Sequence, residues 1–464
     1  MLNKYFGDKA FWQTTLSLAL PIAVQNLLSC SFTLMDTVMV GQLGDVSLSG
    51  TGMACQWSWL MTLVFFGLSS GTAMFVSQYW GVGDKKSIRR VFGMTVLISV
   101  SVSVVFMLAA TLIPEHIVGI FNSDPGVISE GAAYLRILAF SFPATALSIS
   151  MSIVLRSTEN VKLPMYASGI ASATDVVLNY VMIFGALGFP SMGVRGAALS
   201  TVISTWMSPL IMFVVSKKQN NILIGPFKEL FGFNRGMVTE YVRKASPVIL
   251  NEGMWGLGTV MFNVIFGRLG YEQYAAVAIQ KTAFDFSFIF FAGLCSACCV
   301  IVGKSIGAGR LYESYAHARR FAALVPCFSI VVGGVLVLLR HPFAGLFNLN
   351  GNITETTLQS AVGIMAISGF ELALRNIPFI QIVGIFRSGG DTAVGMRYDF
   401  ICLWLISLPL TALAAFVLKW PFAAVFATML LAEDVLKSVL CVRYFRSRKW
   451  IMPVTEEGKA ALAN

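Results

Sequence analysis

Leu20-Pro21-Ile22-Ala23-Val24-Gln25-Asn26-Leu27-Leu28 lies inside an apolar run from Trp12 to Val40 that holds a single charged residue, Asp36. About 20 apolar residues in a helix cross the hydrocarbon core of a bilayer. This run is long enough, and it shows no small-residue cleavage site in its first dozen residues, so it reads as a first transmembrane helix and not a removable signal. The whole chain has the same character. Of 464 residues, 56% are hydrophobic and only 12% are charged, and the mean hydropathy is +0.75. Soluble domains carry roughly 25% charged residues, so most side chains here must face lipid. Disorder, coiled coil and a soluble enzyme are excluded on the same ground.

Working outward from the first run, the sequence predicts twelve spans, near 12–40, 50–78, 91–114, 131–155, 165–187, 195–216, 246–266, 274–302, 321–340, 358–386, 398–418 and 421–442. Several exceed 25 residues, which implies tilt or kinks. Basic residues sort by side. Lys4 and Lys9, then Lys85, Lys86, Arg89 and Arg90, then Arg156 and Lys162, and later Lys304, Arg310, Arg319 and Arg320 alternate correctly to one face, while Arg195, Arg268, Arg340 and Lys419 fall on the other. Excess Lys and Arg marks the cytoplasmic side, so both termini are expected to be cytoplasmic and the chain to lie in the cell membrane. The formal net charge of +10 therefore reports topology. It does not form the basic face that a nucleic-acid partner requires, and the expected partner is the lipid bilayer.

The chain repeats. Gly41-Gln42-Leu43-Gly44 recurs as Gly267-Arg268-Leu269-Gly270, an offset of 226 residues; Pro21 recurs as Pro247 and Gly67 as Gly293 at the same offset, and Arg156-Ser157 recurs as Arg387-Ser388 at 231. Each half has an even number of predicted spans, so the repeats run the same way through the membrane, related by an axis along its normal. The expected architecture is an all-α membrane protein with an N-terminal lobe at 1–216, a cytoplasmic linker at 217–245, a C-terminal lobe at 246–442 and a basic tail at 443–464. Two like bundles facing one another would make a cleft whose opening alternates by rocking.

Charges within spans are costly and rare without function. Asp36 has no basic residue within a turn, and as an isolated acid it is suited to exchange a proton or to bind Na⁺; the alternative is a packing role against another helix. Asp175 and Asn179 are four apart and share a helix face. With Thr201 on the next helix they offer carboxylate, amide and hydroxyl, a hard-oxygen set for Na⁺ or a shared proton. Asp36 and Asp175 are the acids that would carry the cation. In the second half, Glu252, Gln280 and Asn376 are candidates. Glu252 matches Asn26 by the repeat, while Phe262 matches Asp36, so the halves are chemically unequal. Lys281 with Asp285, and Glu371 with Arg375, are i,i+4 and expected to neutralise one another along their helices. Glu433, Asp434 and Lys437 form a similar set. Pro21 removes a helical hydrogen bond and marks a bend or a hinge.

Other chemistries lack their residues. Gly303-Lys304-Ser305 has Cys298 where a phosphate-binding loop needs its first glycine, and no strand precedes it. The eight cysteines lie in apolar stretches and form neither a disulfide framework nor a metal knuckle. No enzyme activity and no bound cofactor are expected, apart from a coupling ion.

Leu20 to Asn26, Asp36 to Gly41, Gly67 to Gly71, Gln78-Tyr79-Trp80-Gly81-Val82-Gly83-Asp84, Leu155 to Asn160, Gly196 to Thr201 and Gly303 to Gly309, in this order, resemble the multidrug and toxic compound extrusion (MATE) transporters over nearly the full length. That resemblance implies two six-helix lobes in a V shape around a central cavity. It also implies export of organic cations or drugs in exchange for H⁺ or Na⁺, by a monomer. It matches Asp36 to the first-span acid, Pro21 to the bending proline, Thr201 to a sixth-span hydroxyl and Glu252 to a second-lobe acid. The fifth-span order is exchanged here, Asp175 before Asn179, and the tenth-span acid of some members falls on Asn376. A lipid-linked oligosaccharide flippase of the same superfamily is the rival; it requires a basic cavity, for which Lys281, Arg375 and Arg136 are the candidates. An epitope fused to the C-terminus is expected to bind antibody only after the cells are permeabilised; binding on intact cells would reverse the topology.

Overall fold

The computed structural model describes residues 7–347 and 353–463; Lys4, counted above toward the cytoplasmic face, lies outside them. The described chain is helical. In lipid every backbone N–H and C=O must bond within its own segment or a closed barrel, which makes helices the solution for these runs. Eleven helices among the described residues are long and apolar enough to cross a membrane: α1 Lys9–Gly41, α2 Asp45–Val82, α3 Lys85–Leu112, α4 Pro125–Ser157, α5 Lys162–Phe184, α6 Val194–Lys218, α7 Arg235–Leu269, α8 Tyr271–Gly307, α9 Leu311–Leu346, α10 Glu355–Gly389 and α11 Ala393–Val417. The twelfth expected span is α12, Phe422–Ser447, a continuous helix set apart by buried Glu433, Asp434 and Lys437. A short tail helix, α13 (Glu456–Ala463), follows.

Local signals place the ends. Asp8 accepts the Phe11 N–H at 3.0 Å ahead of α1, and that bond holds its carboxyl below the ordinary carboxylate range. Asp84 accepts from Ser87 N–H at the start of α3, and Asp124 from Gly126 and Val127 N–H at the start of α4. Such side-chain acceptors satisfy the orphan donors of a first turn. Gly83, at φ 74, closes α2 in the left-handed region that glycine enters freely. Pro21 lies within an unbroken α1. Pro378 precedes a widened, π-helical stretch of α10 at Ile380–Phe386, and α11 carries two more such stretches.

The chain divides into two compact units, Pro21–Val242 and Met1–Leu20 with Arg243–Asn464. The boundary within α1 thus falls at Pro21, and the first helical turns group with the second half. In the first unit α5 packs along α6, and α2 against α4. At the α2–α4 crossing a Cβ on Gly50 would meet Gly131 N at 2.8 Å, so the two backbones touch, as small residues allow between membrane helices. The linker is fastened to this unit. Arg89 of α3 donates to Glu229 at 2.6 Å and to the Ile222 carbonyl, and the Tyr241 hydroxyl, fully buried, bonds with Thr72 of α2 at 2.9 Å.

In the second unit α9 lies along α10. The tail packs onto the same unit. Met452 N–H donates to the Gly389 carbonyl at 2.7 Å, Thr455 Oγ1 to the Gly307 carbonyl at 2.7 Å, and Trp450 is wholly buried against Phe445 and Phe386. Truncating a buried aromatic to alanine costs about 3–5 kcal/mol. Trp450→Ala is therefore expected to lower the melting temperature of the purified protein markedly, while Leu462→Ala, at 54% exposure on α13, leaves it within a degree or two of wild type.

Candidate functional site

α1, α5 and α6 bring the first-lobe candidates together. Asn179 Nδ2 donates to Asp36 Oδ1 at 2.6 Å, and Ser200 Oγ donates to Asn179 Oδ1. Ser204 Oγ donates to Asp175 Oδ1 at 2.8 Å. The Asp36 and Asp175 carboxyl groups face one another within hydrogen-bonding reach. Two carboxyl groups share a hydrogen bond only when one of them carries a proton. Asp175 and Asn179 are buried, and Asp36 is half-buried. The buried Tyr134 of α4 adjoins the cluster through Cys55 of α2.

The geometry follows from helix register. Asp175 and Asn179 stand one turn apart on α5, and Ser204 and Ser200 stand one turn apart on α6. Consecutive spans run antiparallel, so advancing four residues on one helix meets retreating four on the other. The sequence reading chose Thr201 as the α6 hydroxyl. In the structure Thr201 Oγ1 donates to the Ala197 carbonyl of its own helix at 3.0 Å, and the hydroxyls that reach α5 are Ser200 and Ser204. Their four-residue spacing was the available signal.

The second-lobe candidates do not converge. Glu252 of α7, partly buried, accepts from the buried Arg387 of α10 at 2.8 Å in an ion pair. Gln280 Nε2 donates to Ser368 Oγ at 2.8 Å, and Asn376 Nδ2 to Ser329 Oγ at 2.9 Å; each ties two helices at a separate point. Lys281 and Asp285 pair along α8 at 2.6 Å as expected. Glu371 and Arg375 do not pair. Arg375 turns to Asp434 of α12, at 3.7 Å, and lies over the Phe284 ring. Lys437 is held between Glu433, at 2.9 Å, and Asp399 of α11.

One contact repeats between the lobes. Arg156, at the end of α4, donates to Gln25 Oε1, four residues past Pro21. Its repeat partner Arg387 reaches Glu252, five residues past Pro247. The sequence repeat had shown both arginines without assigning them a partner.

With this geometry in view, comparison with known proteins is decisive for class. A family model, MatE, matches residues 21–181 and 247–432. The chain belongs to this family, the MATE transporters, and is a multi-pass membrane transporter. It is similar to the probable multidrug resistance protein NorM of Thermotoga maritima, 26% identical over 444 residues that cover 94% of this chain and 92% of that protein. It is 24% identical to the uncharacterized transporter YisQ of Bacillus subtilis, over 96% of each chain. Among solved structures, a mutant of the Vibrio cholerae MATE transporter VcmN superposes with a TM-score of 0.85 at 17% identity, covering 95% of this chain and 98% of that one. A MOP superfamily transporter from Pyrococcus furiosus superposes at 0.84 and 16% identity, covering 96% and 97%.

Removing one partner of a buried ion pair costs about 3–5 kcal/mol, because a charge is left buried alone. Exposed pairs contribute about 0–1 kcal/mol. Glu252→Ala is therefore expected to destabilise the protein strongly, and Glu252→Ala with Arg387→Met to recover most of the loss. Glu115→Ala, which breaks the exposed Arg136–Glu115 pair, is expected to leave the denaturation midpoint nearly unchanged.

Proposed function

We propose that this chain is a secondary antiporter that exports organic cations or drugs from the cell in exchange for H⁺ or Na⁺, with its coupling site at Asp36, Asp175, Asn179, Ser200 and Ser204. The observation that carries the reading is the facing Asp36–Asp175 pair, wired by hydrogen bonds through α5 to α6. The wiring favours a proton as the coupling ion. Asn179 gives its N–H to Asp36 and takes a hydroxyl from Ser200, so the polar atoms are already engaged with one another, and a proton between the two carboxyl groups completes the set. The multidrug resistance designation of the Thermotoga maritima relative supports drugs as cargo.

In this reading an ion entering from outside loads Asp36 and Asp175, the hydrogen bonds among α1, α5 and α6 rearrange, and substrate leaves outward. Pro21, which leaves the Ser17 carbonyl without its helical donor, is the point where α1 flexes. Ion and drug must each weaken the other's binding by the same factor. One net charge moved inward across 100 mV supplies about 2.3 kcal/mol, enough for roughly a fifty-fold gradient of a neutral substrate; a monovalent cation exchanged one for one moves no net charge and draws on the ion's concentration gradient alone. The flippase rival loses support because its basic residues are engaged: Lys281 with Asp285, Arg375 with Asp434 and Arg136 with Glu115.

The test is ethidium transport in proteoliposomes driven by an imposed pH gradient or, separately, an imposed Na⁺ gradient. A pH gradient alone is expected to drive it, and Asp36→Asn to abolish it at unchanged protein incorporation. Transport driven by Na⁺ alone would assign Na⁺. Full activity in Asp36→Asn would remove the site from the mechanism.

A further inference from the structure

A second group of charges lies in the second lobe, away from Glu252, Gln280 and Asn376. Glu371 on α10, Asp399 on α11, and Glu433 and Asp434 on α12 are all buried, together with Lys437 on α12 and the partly buried Arg375 on α10. Four carboxyl groups thus meet two cations. Lys437 is shared between Asp399 and Glu433, and Arg375 reaches Asp434. Glu371 is left over.

Glu371 is 5% exposed, and neither of its carboxyl oxygens has a hydrogen-bond donor among the described residues. It faces the Asp434 carboxyl, whose Oδ2 also lacks a hydrogen-bond donor. The neighbouring charges come from three helices: Arg375 from α10, Glu433 and Lys437 from α12, and Asp399 from α11. The side-chain hydrogen bonds from α8 and α9 to α10 join neutral groups, Gln280 to Ser368 and Ser329 to Asn376, and the Phe284 ring of α8 lies under Arg375. The thiols of Cys402 and Cys441 stand near Lys437. Two buried carboxylates side by side, with no donor between them, repel one another in a poorly screening medium. A single proton turns that repulsion into a hydrogen bond, with one group donating and the other accepting. A metal ion fits less well. Arg375 and Lys437 already bring positive charge to the cluster, and no group of three or more acidic, histidine or cysteine ligands suited to a metal occurs among the described residues.

We propose that the second lobe binds a proton of its own, held between the carboxyl groups of Glu371 and Asp434. This site is separate from Asp36 and does not depend on how the first lobe is coupled.

Infrared spectroscopy of the purified full chain tests the proposal without any transport assay. At neutral pH the wild type should show a protonated-carboxyl C=O stretch that disappears in Glu371→Gln and persists in Asp36→Asn. Glu371→Gln is the variant of choice because an amide N–H can donate to Asp434 as the acid does, so folding is preserved. Asp434→Asn removes the acceptor carboxylate and should shift the same band or abolish it. Sodium chloride in place of choline chloride at constant pH should leave the band unchanged. An unaltered C=O region in Glu371→Gln would overturn the proposal, as would a band that Na⁺ titrates away.

Discussion

Inside a bilayer no water is available to satisfy a polar group, so every donor and acceptor must find its partner within the protein. The rest of this structure follows from that demand. It selects helices for the backbone, and it turns many Ser and Thr side chains back onto their own helices. Thr33 donates to the Ser29 carbonyl and Thr37 to the Thr33 carbonyl, and such hydroxyls carry no further message. Other polar groups reach across helices. In the first lobe these include Gln25 with Arg156 and Ser168, Ser99 with Ser150, Ser148 with Ser208, the Thr72–Thr95–Tyr241 trio, and the Asp36–Asn179–Ser200 relay. The last of these contains carboxyl groups without a cation nearby, which makes it the chemically unsettled point of the lobe.

The duplication preserved shape and let chemistry drift. Arg156 and Arg387 occupy matching places and grip matching helices just past a proline, yet one meets a neutral amide and the other a carboxylate. Phe262, which matches Asp36, sits in the apolar core of the second lobe with Phe266, Ala283 and Leu336. In the second lobe Glu371, Asp399, Glu433 and Asp434 are buried instead on α10, α11 and α12, while Glu252 on α7 pairs with Arg387. An ion site cannot be carried from one half to the other by symmetry alone, because burial of a phenyl ring and burial of a carboxyl group make opposite demands on their neighbours.

The helices were legible because a span is a composition signal: a long apolar run needs no knowledge of its neighbours. The twelfth was the hardest to class, since Glu433, Asp434 and Lys437 interrupt its apolarity. The acids of the first-lobe site were also legible, because an isolated carboxyl group in such a run is conspicuous. The serines were not. Ser200, Ser204 and Thr201 are equivalent in sequence, and all three reach a carbonyl of their own helix; only the rotation of α6 against α5 brings Ser200 and Ser204 also within reach of Asn179 and Asp175. Ion pairing was readable along a helix, as for Lys281 with Asp285, and unreadable across helices. Arg375 prefers Asp434, 59 residues on, over Glu371 one turn away, because α10 and α12 pack together and present an acid on the opposing face.

The relay also has a direction. Asn179 cannot donate and accept through the same atom: its nitrogen is committed to Asp36 and its oxygen to Ser200. Asp36 is thereby held as an acceptor on Oδ1, and Ser204 holds Asp175 as an acceptor on its own Oδ1. The place left for a proton is between the two carboxyl groups. Once that proton departs, two like charges confront one another. Two unit charges about 4 Å apart in an effective dielectric of about 20 repel by about 4 kcal/mol, comparable to the free energy that separates conformers in a population-shifting protein. The repulsion acts between α1 and α5, while the serine bonds keep α5 fixed to α6. Strain from deprotonation therefore falls on α1, the helix that contains Pro21 and lacks a backbone hydrogen bond there. In the proposed antiport, charge would be introduced at Asp36 a few turns from Pro21 on the same helix, and α1 would be the element through which ion binding acts on the rest of the lobe.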